Sequence, residues 1–490
     1  MREDPRTPLL VGVGAVQQRE DDPARAREPL ELMLDALARA AEDAGSRALL
    51  ARADRIEATR GFWDYADPCR VAAERLGAAR ARTCVAEVGV LQTTPFGRAA
   101  AAIAAGEADV VLVMGGEARY RQQRAVRAGV EAPLSRHGDS APDLVLRPNR
   151  EIVSPLEIAA GLHMPVGQYA MIENALRAAD GQDLDAHRRS VAGLWARMSE
   201  IAAGNPDAWS REPLAADAIR EASAGNRMLA FPYMKLHNSQ WNVDQAAGLA
   251  FTSLATARAL GIPRERWVFV RAVAESNHMV PLVERRLPHR CAGFARASER
   301  ALAAAGLEPG EVAHVELYSC FPSAVRVQAR ELGLDEARPL SLTGGMTFAG
   351  GPLNNFVFQA LVRMARVLRA DPGSAGLLTA VSGILTKQGV SLWSTEPGPR
   401  PFRFEDASAA AAREVETLRV VAGATGRGEV AAYTVLFDAV APARSVLLCD
   451  LEDGTRTLAT SADPALAERA QREELCGRAL RVAAGEAELA

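Results

Sequence analysis

Phe96-Gly97-Arg98-Ala99-Ala100 runs through Gly106 into the apolar stretch 110–116, and much later Phe356-Val357-Phe358-Gln359-Ala360 runs through Pro372-Gly373 into 377–383. Each is a turn, a helix-length segment, a short polar break and a strand apolar enough to be buried on both faces. Strands of that kind belong to parallel sheets covered by helices. The recurrence points to two topologically related halves, with coincidence between two ordinary βα units as the alternative. Apolar runs and alternation predict further strands at 9–13, 55–59 and 84–89 and an amphipathic helix at 29–44 in the first region. The second region, about residues 245–397, carries helices at 294–305 and 356–368 and strands at 313–317 and 376–381.

Residues 118–243 break the alternation. Trp195, Trp209 and Trp241, the turns Asn205-Pro206 and Phe231-Pro232, and helical segments at 166–179 and 186–202 read as an insertion with helices of its own. Glu396-Pro397-Gly398-Pro399-Arg400-Pro401 is a linker. Beyond it, short strands at 417–422, 428–437, 445–451 and 477–482 with Gly turns between them predict a small β-barrel-like domain. The chain therefore divides into 6–117 with the insertion 118–243, then 244–396, then 402–490.

With 490 residues, 48% of them hydrophobic, the chain is long enough for two or three cored domains. Its longest apolar runs, such as 110–114 and 376–381, are far shorter than a membrane span. The start, Arg2-Glu3-Asp4 followed by a strand-like run, is unlike a signal peptide, so the expected location is the cytoplasm. A net charge of −4 implies neither nucleic acid nor membrane as partner. Residues 401–490 hold ten Arg and fifteen Asp or Glu, and an acidic barrel of net charge −5 repels phosphate. Packing against the rest of the chain or a partner is the expected role of that domain. Cys69, Cys84, Cys291, Cys320, Cys449 and Cys476 show no paired spacing and no His cluster, which argues against disulfides and against a metal site. Of 57 basic residues only Lys235 and Lys387 are lysine, so these two positions are candidates for a compact, deprotonatable amine, against chance survival in an Arg-rich background.

The segment Gly344-Gly345-Met346-Thr347-Phe348-Ala349-Gly350-Gly351-Pro352-Leu353 resembles the thiolase motif Gly-Gly-x-x-x-x-Gly-His-Pro-x-Gly, with Gly351 in the histidine's place. Residues 96–117 are similar to the helix and strand after the thiolase nucleophile, and Asn242-Val243-Asp244-Gln245-Ala246-Ala247-Gly248 to the block opening the second thiolase half. Tyr318-Ser319-Cys320-Phe321 resembles the Asn-Glu-Ala-Phe segment, and more closely the His-Asp-Cys-Phe version of sterol-carrier thiolases. These four blocks agree in order and spacing over residues 6–395, and the added domain resembles that of sterol-carrier-thiolase relatives named acetyl-CoA acetyltransferases. The resemblance implies an α/β thiolase fold of two similar βαβαβαββ halves, a loop domain over the active site and an OB-like C-terminal β domain. It also implies a homodimer, no bound cofactor, and CoA or acyl-CoA as ligand or substrate.

Thiolase chemistry needs a cysteine at a helix N-terminus and a histidine base. The turn Glu87-Val88-Gly89-Val90-Leu91-Gln92-Thr93-Thr94-Pro95 holds no cysteine, Gly89 stands at the nucleophile position, and Gly351 cannot act as a base. Cys84 reads as buried packing. Cysteine-dependent thiolysis is accordingly not expected. Tyr318, Ser319 and Cys320 are the substitute catalytic candidates, weighed against a packed tyrosine anchored through its hydroxyl and a cysteine serving as a small hydrophobe. Candidate ligand contacts are Gly89, Gln92, Thr93, Lys235, Gly351, Asn354, Ser382 and Lys387. Arg119, Arg121, Arg124 and Arg227 are possible phosphate contacts, or else solvated charges. One of Asn354 and Asn355 is expected to cap the helix that follows. Three functions stay open: an acyl-CoA-binding thiolase-like protein, a non-cysteine C–C lyase acting through Tyr318, and a non-catalytic scaffold.

Overall fold

The computed structural model describes residues 4–439 and 441–489. In the first half, β1 (Pro8–Gln18), β2 (Arg55–Thr59), β3 (Arg82–Ala86), β4 (Val110–Ala118) and β8 (Asp244–Ser253) lie in the order β1-β8-β4-β2-β3. β4, β2 and β3 are parallel, and β8 runs antiparallel to both its neighbours. Successive residues of β4 serve opposite faces. Val110, Leu112 and Met114 pack in one core with α1 (Pro29–Asp43), and Val111 and Val113 in another with α2 (Thr93–Ala104). Double burial is why this strand is continuously apolar. α1 lies so close that a Cβ on Gly12 or Gly14 would be 2.1 Å from the carbonyl oxygen of Ala40 or Ala36.

The insertion bridges the two halves, its short strand meeting the first and its main helices packing against the second and the barrel, as where Tyr169 stacks on Phe321 at 4.5 Å. β5 (Leu144–Leu146) runs parallel to β3, pairing Leu144 with Cys84 and Leu146 with Ala86, and so covers the outer edge of the sheet. α3 (Pro165–Ala179) and α4 (Leu184–Ala203) are its main helices, close to the expected spans, and β6 (Met228–Ala230) with β7 (Tyr233–Met234) forms a short hairpin.

The second half repeats the first. β9 (Val268–Ser276), β10 (Val312–Glu316), β11 (Ala375–Ser382) and β12 (Lys387–Ser394) take the order β9-β12-β11-β10, with β12 antiparallel to both neighbours and β10 parallel to β11. They stand where β1, β2, β4 and β8 stand in the first half. α5 (Ala292–Ala305), α6 (Pro322–Glu331) and α7 (Phe356–Ala370) complete it. The two sheets join where Leu9 pairs with Phe269 and Leu10 with Val268, and α2 meets α7 between the halves through Phe96 and Phe358, 6.4 Å between ring centres. The repeat of helix and buried strand is thus α2 into β4 and α7 into β11. One boundary is corrected. The block at 242–248 enters β8, which sits between β1 and β4 and closes the first half, so the second half opens at β9 rather than at residue 244.

β13 (Phe404–Asp406) adds to β9 after the linker. β14 (Gly426–Asp438), β15 (Ala441–Leu451), β16 (Arg456–Ser461), β17 (Ala479–Ala483) and β18 (Glu486–Leu489) then close a five-stranded barrel in the order β14-β15-β16-β18-β17-β14. α8 (Pro464–Arg472) lies between its third and fourth strands, the OB-like arrangement. Among the described residues, the segment expected as a strand at 417–422 bonds to the barrel through a single bridge, from Val420 to Arg456. Fully buried Arg456 pairs with Asp450 at 2.5 Å and donates to the carbonyls of Arg285 and Arg286, which locks the barrel to the second half. Arg177 of α3 reaches Glu474 at 2.8 Å and the Tyr433 hydroxyl at 2.9 Å, locking it to the insertion. Among the described residues no helix is long and apolar enough to cross a membrane.

Candidate functional site

The N-termini of α2 and α7 meet between the two halves. Gln92, just before α2, accepts a hydrogen bond from the Val357 backbone N–H at 2.8 Å and thereby caps α7 from the other half. Neither Asn354 nor Asn355 does so. The Asn355 side chain makes no cap bond, and Asn354 Nδ2 and both polar atoms of Asn355 are buried without partners. The capping expectation therefore fails, because the acceptor comes from a distant segment already aimed along the axis of α7. Thr93 and Thr94 donate their hydroxyls to Glu275 of β9, Thr94 at 2.9 Å. Burial raises the Glu275 carboxyl to about 7 while those hydroxyls pull the other way. Gln92 and Thr93 are thus spent on joining the halves.

Gly89 forms the turn ahead of α2 with φ +101°, and a Cβ there would lie 3.1 Å from Pro148. Its carbonyl is the focus of the β11–β12 hairpin. Ser382 donates to it at 2.8 Å, and the Lys387 ammonium donates to it as well. Lys387 is 1% exposed, and among the described residues no carboxylate pairs with it. Burial lowers its pKa to about 8, which the charge of Glu275 partly opposes. The hairpin turns through Gly383 at φ +69° and Leu385 at φ +52°, and Leu353 beside Gly351 has φ +41°. Non-glycine residues held in that region are strained, and such strain clusters at functional sites.

The turn between β10 and α6 supplies the third side. Tyr318 meets Phe356 edge-on at 6.0 Å, with its backbone N–H held by Thr379 Oγ1 at 2.8 Å. Its hydroxyl has no hydrogen-bond partner among the described residues, so the expected anchoring of that hydroxyl is not found. Buried Ser319 accepts from the Met346 N–H at 3.1 Å, which fixes the glycine motif rather than facing open space. Cys320 lies near the start of α6, where the helix end would favour a thiolate, yet burial dominates and pushes the thiol up to about 12. Tyr169 lies against this turn, its ring stacked on Phe321 at 4.5 Å and its hydroxyl donating to the Gly383 carbonyl at 3.4 Å. At Gly351, an added Cβ would fall 1.9 Å from Ser239 Oγ and 3.4 Å from Met346 Cε, while the Ser239 N–H donates to the Cys320 carbonyl at 3.2 Å.

Gly89, Gly351, Ser382, Lys387 and the Tyr318–Cys320 turn are therefore linked through short contacts. Lys235 is not part of this group. It is exposed, and its side chain has no partner among the described residues. Arg121 is buried and donates to the carbonyls of Pro23, Ala132 and Pro133, Arg119 stacks on Phe62 and Trp241, Arg124 pairs with Asp21, and Arg227 donates to Ala439. None of the four is free for phosphate at the Gly89 turn. Pro148, Tyr169, Ser239 and Glu275 complete the site without having been singled out in the sequence, since no motif marks residues that arrive from separate segments.

No family model and no curated protein matches the chain. Solved structures do. A monomeric SCP2-thiolase-like protein type 1 from Mycobacterium smegmatis matches with TM-score 0.84 and 29% identity over 99% of this chain and 100% of its own. An Ltp2–ChsH2(DUF35) aldolase matches with TM-score 0.59 and 19% identity over 80% of this chain and 99% of its own. The dimeric peroxisomal thiolase of Saccharomyces cerevisiae matches with TM-score 0.56 and 14% identity over 81% and 99%. The last two are likenesses of fold alone. The first extends through the barrel, and with the duplicated half topology and the glycine motif between Gly344 and Leu353 it places this chain in the thiolase superfamily.

Proposed function

We propose that this protein binds CoA, an acyl-CoA or a related CoA thioester and does not perform cysteine-dependent thiolysis. The observation that carries the reading is the condition of the reacting positions: glycines stand at 89 and 351, and the nearby thiol, Cys320, is buried, with burial pushing it up to about 12. Binding is supported by the thiolase frame itself and by two polar donors, Ser382 and Lys387, converging where the family's nucleophile would stand. We assign ligand contact to Gly89, Ser382, Lys387 and Tyr318, and a framing role to Gln92, Thr93, Ser319 and Asn354. Calorimetry with CoA, acetyl-CoA and a longer acyl-CoA tests this. Saturable binding is expected, whereas no heat with any of the three would favour a scaffold. Turnover of acetoacetyl-CoA with CoA that a Cys320→Ala change abolishes would refute the other half of the reading.

A second reading, a C–C lyase, draws on one observation. Among the described residues the Tyr318 hydroxyl has no hydrogen-bond partner, burial pushes it well up so that it holds its proton as a donor, and the Ltp2–ChsH2 structure of the same fold is described as an aldolase. Retro-aldol release from a 3-hydroxyacyl-CoA, lost in Tyr318→Phe, would establish it.

In place of the implied homodimer we read the molecule as a single chain, because β5 covers the edge of β3, and the Mycobacterium smegmatis protein is described as monomeric. Six unpaired cysteines suit a reducing compartment such as the cytoplasm.

A further inference from the structure

Lys387 is an unusual residue in an unusual place. It is one of two lysines in a chain whose other 55 basic residues are arginine, and the second, Lys235, is exposed elsewhere. A buried ammonium is costly unless a carboxylate pairs with it or it gives up its proton. Among the described residues its hydrogen-bond partner is the Gly89 carbonyl, and the carboxylate whose charge acts on it, Glu275, lies beyond ion-pair distance. The geometry keeps the two on one face of the sheet. Glu275 pairs in register with Gly389, two residues along β12 from Lys387, so both side chains leave the same side. The amine is also close to the surface, since Val88 beside Gly89 is 46% exposed and Ser382 and Gly383 are half-buried.

We propose that Lys387 is a covalent nucleophile that captures the ketone of a 3-oxoacyl thioester as an imine at the position where thiolases carry their cysteine. The inference rests on the CoA-thioester reading given above. An amine differs from a thiol in what it can do there. Attack on the thioester carbonyl would leave an amide that does not turn over, whereas attack on the ketone is reversible. The lysine nitrogen donates its lone pair to C3, and the C–O double bond opens. The nitrogen then loses its protons as the carbonyl oxygen departs as water, leaving a C–N double bond. Glu275, on the same face of the sheet but beyond ion-pair distance, would take and return the proton through an intervening water. An arginine at 387 would keep the positive charge and lack the nucleophile.

The experiment is to incubate the purified protein with acetoacetyl-CoA and sodium cyanoborohydride, whose hydride reduces an imine to a stable secondary amine, and to read intact mass and peptide maps. A single adduct on the peptide containing Lys387 is expected, absent with acetyl-CoA and absent from Lys387→Arg. An adduct on Lys235 or on the N-terminal amine alone, or no adduct while calorimetry shows that acetoacetyl-CoA binds, would overturn the proposal and leave the binding reading intact. If acetoacetyl-CoA gives neither binding nor adduct, the proposal falls, and the binding reading falls with it only when CoA, acetyl-CoA and the longer acyl-CoA also give no heat. Should Lys387→Arg fold poorly, the map of the wild-type adduct decides by itself.

Discussion

A histidine cannot simply be restored at 351. The Cβ of an alanine there would meet the Ser239 hydroxyl, which can rotate away, and would already lie 3.3 Å from Ser239 Cβ and 3.4 Å from Met346 Cε, so an imidazole built on that Cβ has to displace these neighbours further. Overpacking of that kind typically costs about 1–3 kcal/mol. We expect Gly351→His to lose stability in that range in urea titrations, with Gly351→Ala close to wild type. At 89 a cysteine would take φ +101° and press on Pro148, so the Gly89→Cys/Gly351→His double variant should release no thiolase activity in a CoA-thiol assay. Thiolysis by the double variant would show that only the two side chains are missing. Both glycines were legible as departures from a motif. Ser239, Pro148 and Tyr169 were not, because each reaches the site from the insertion through a contact that no local pattern encodes.

Among the elements, those with long apolar runs or strong helical periodicity, such as β4, β11, α3 and α7, fall close to their expected spans. β8, rich in Ala and Gly, reads as nothing in particular until it is placed between β1 and β4, and the short barrel strands β16 and β18 gain their identity only from ring closure. β5 is the clearest case. Three residues, Leu144-Val145-Leu146, are too few to read as a strand, yet they cover the free edge of the sheet. A sheet edge with unpaired N–H and C=O groups is a template for another chain, and a very short edge strand blunts it. Light scattering should therefore give the mass of one chain for the wild type. Replacing all three residues with glycine should expose β3 and produce dimers or larger species that grow with concentration. A wild-type dimer would contradict the role given to β5.

Over the whole molecule, ionisation works against the fold at neutral pH. Burial raises Glu57, Glu117, Glu275 and Glu316 to about 7 from 4.5, and Asp244 to about 6 from 3.8. Between those values the unfolded chain has released protons that the folded chain keeps, so stability falls as pH rises through the window. Lys387 acts in the next window with the opposite slope. Its folded value is about 8 against 10.5, so there the unfolded chain holds a proton that the folded chain has lost, and stability recovers with pH. Glu173 is the counterexample, drawn down to about 2 despite full burial because His187, Arg326 and Tyr233 surround it, so its contribution is full above 4.5 and is lost as pH falls from there towards 2. The urea midpoint should thus be higher near pH 5 than near pH 7.5, contrary to a protein held by exposed carboxylate pairs. Glu57 isolates the effect, being 1% exposed with both carboxylate oxygens unpartnered. Glu57→Gln removes its ionisation while keeping its shape, and should raise stability by about 1–3 kcal/mol at pH 7.5, with little change near pH 5. Equal effects at the two pH values would mean that Glu57 keeps its charge state across the range and that the buried carboxylates do not set the pH profile.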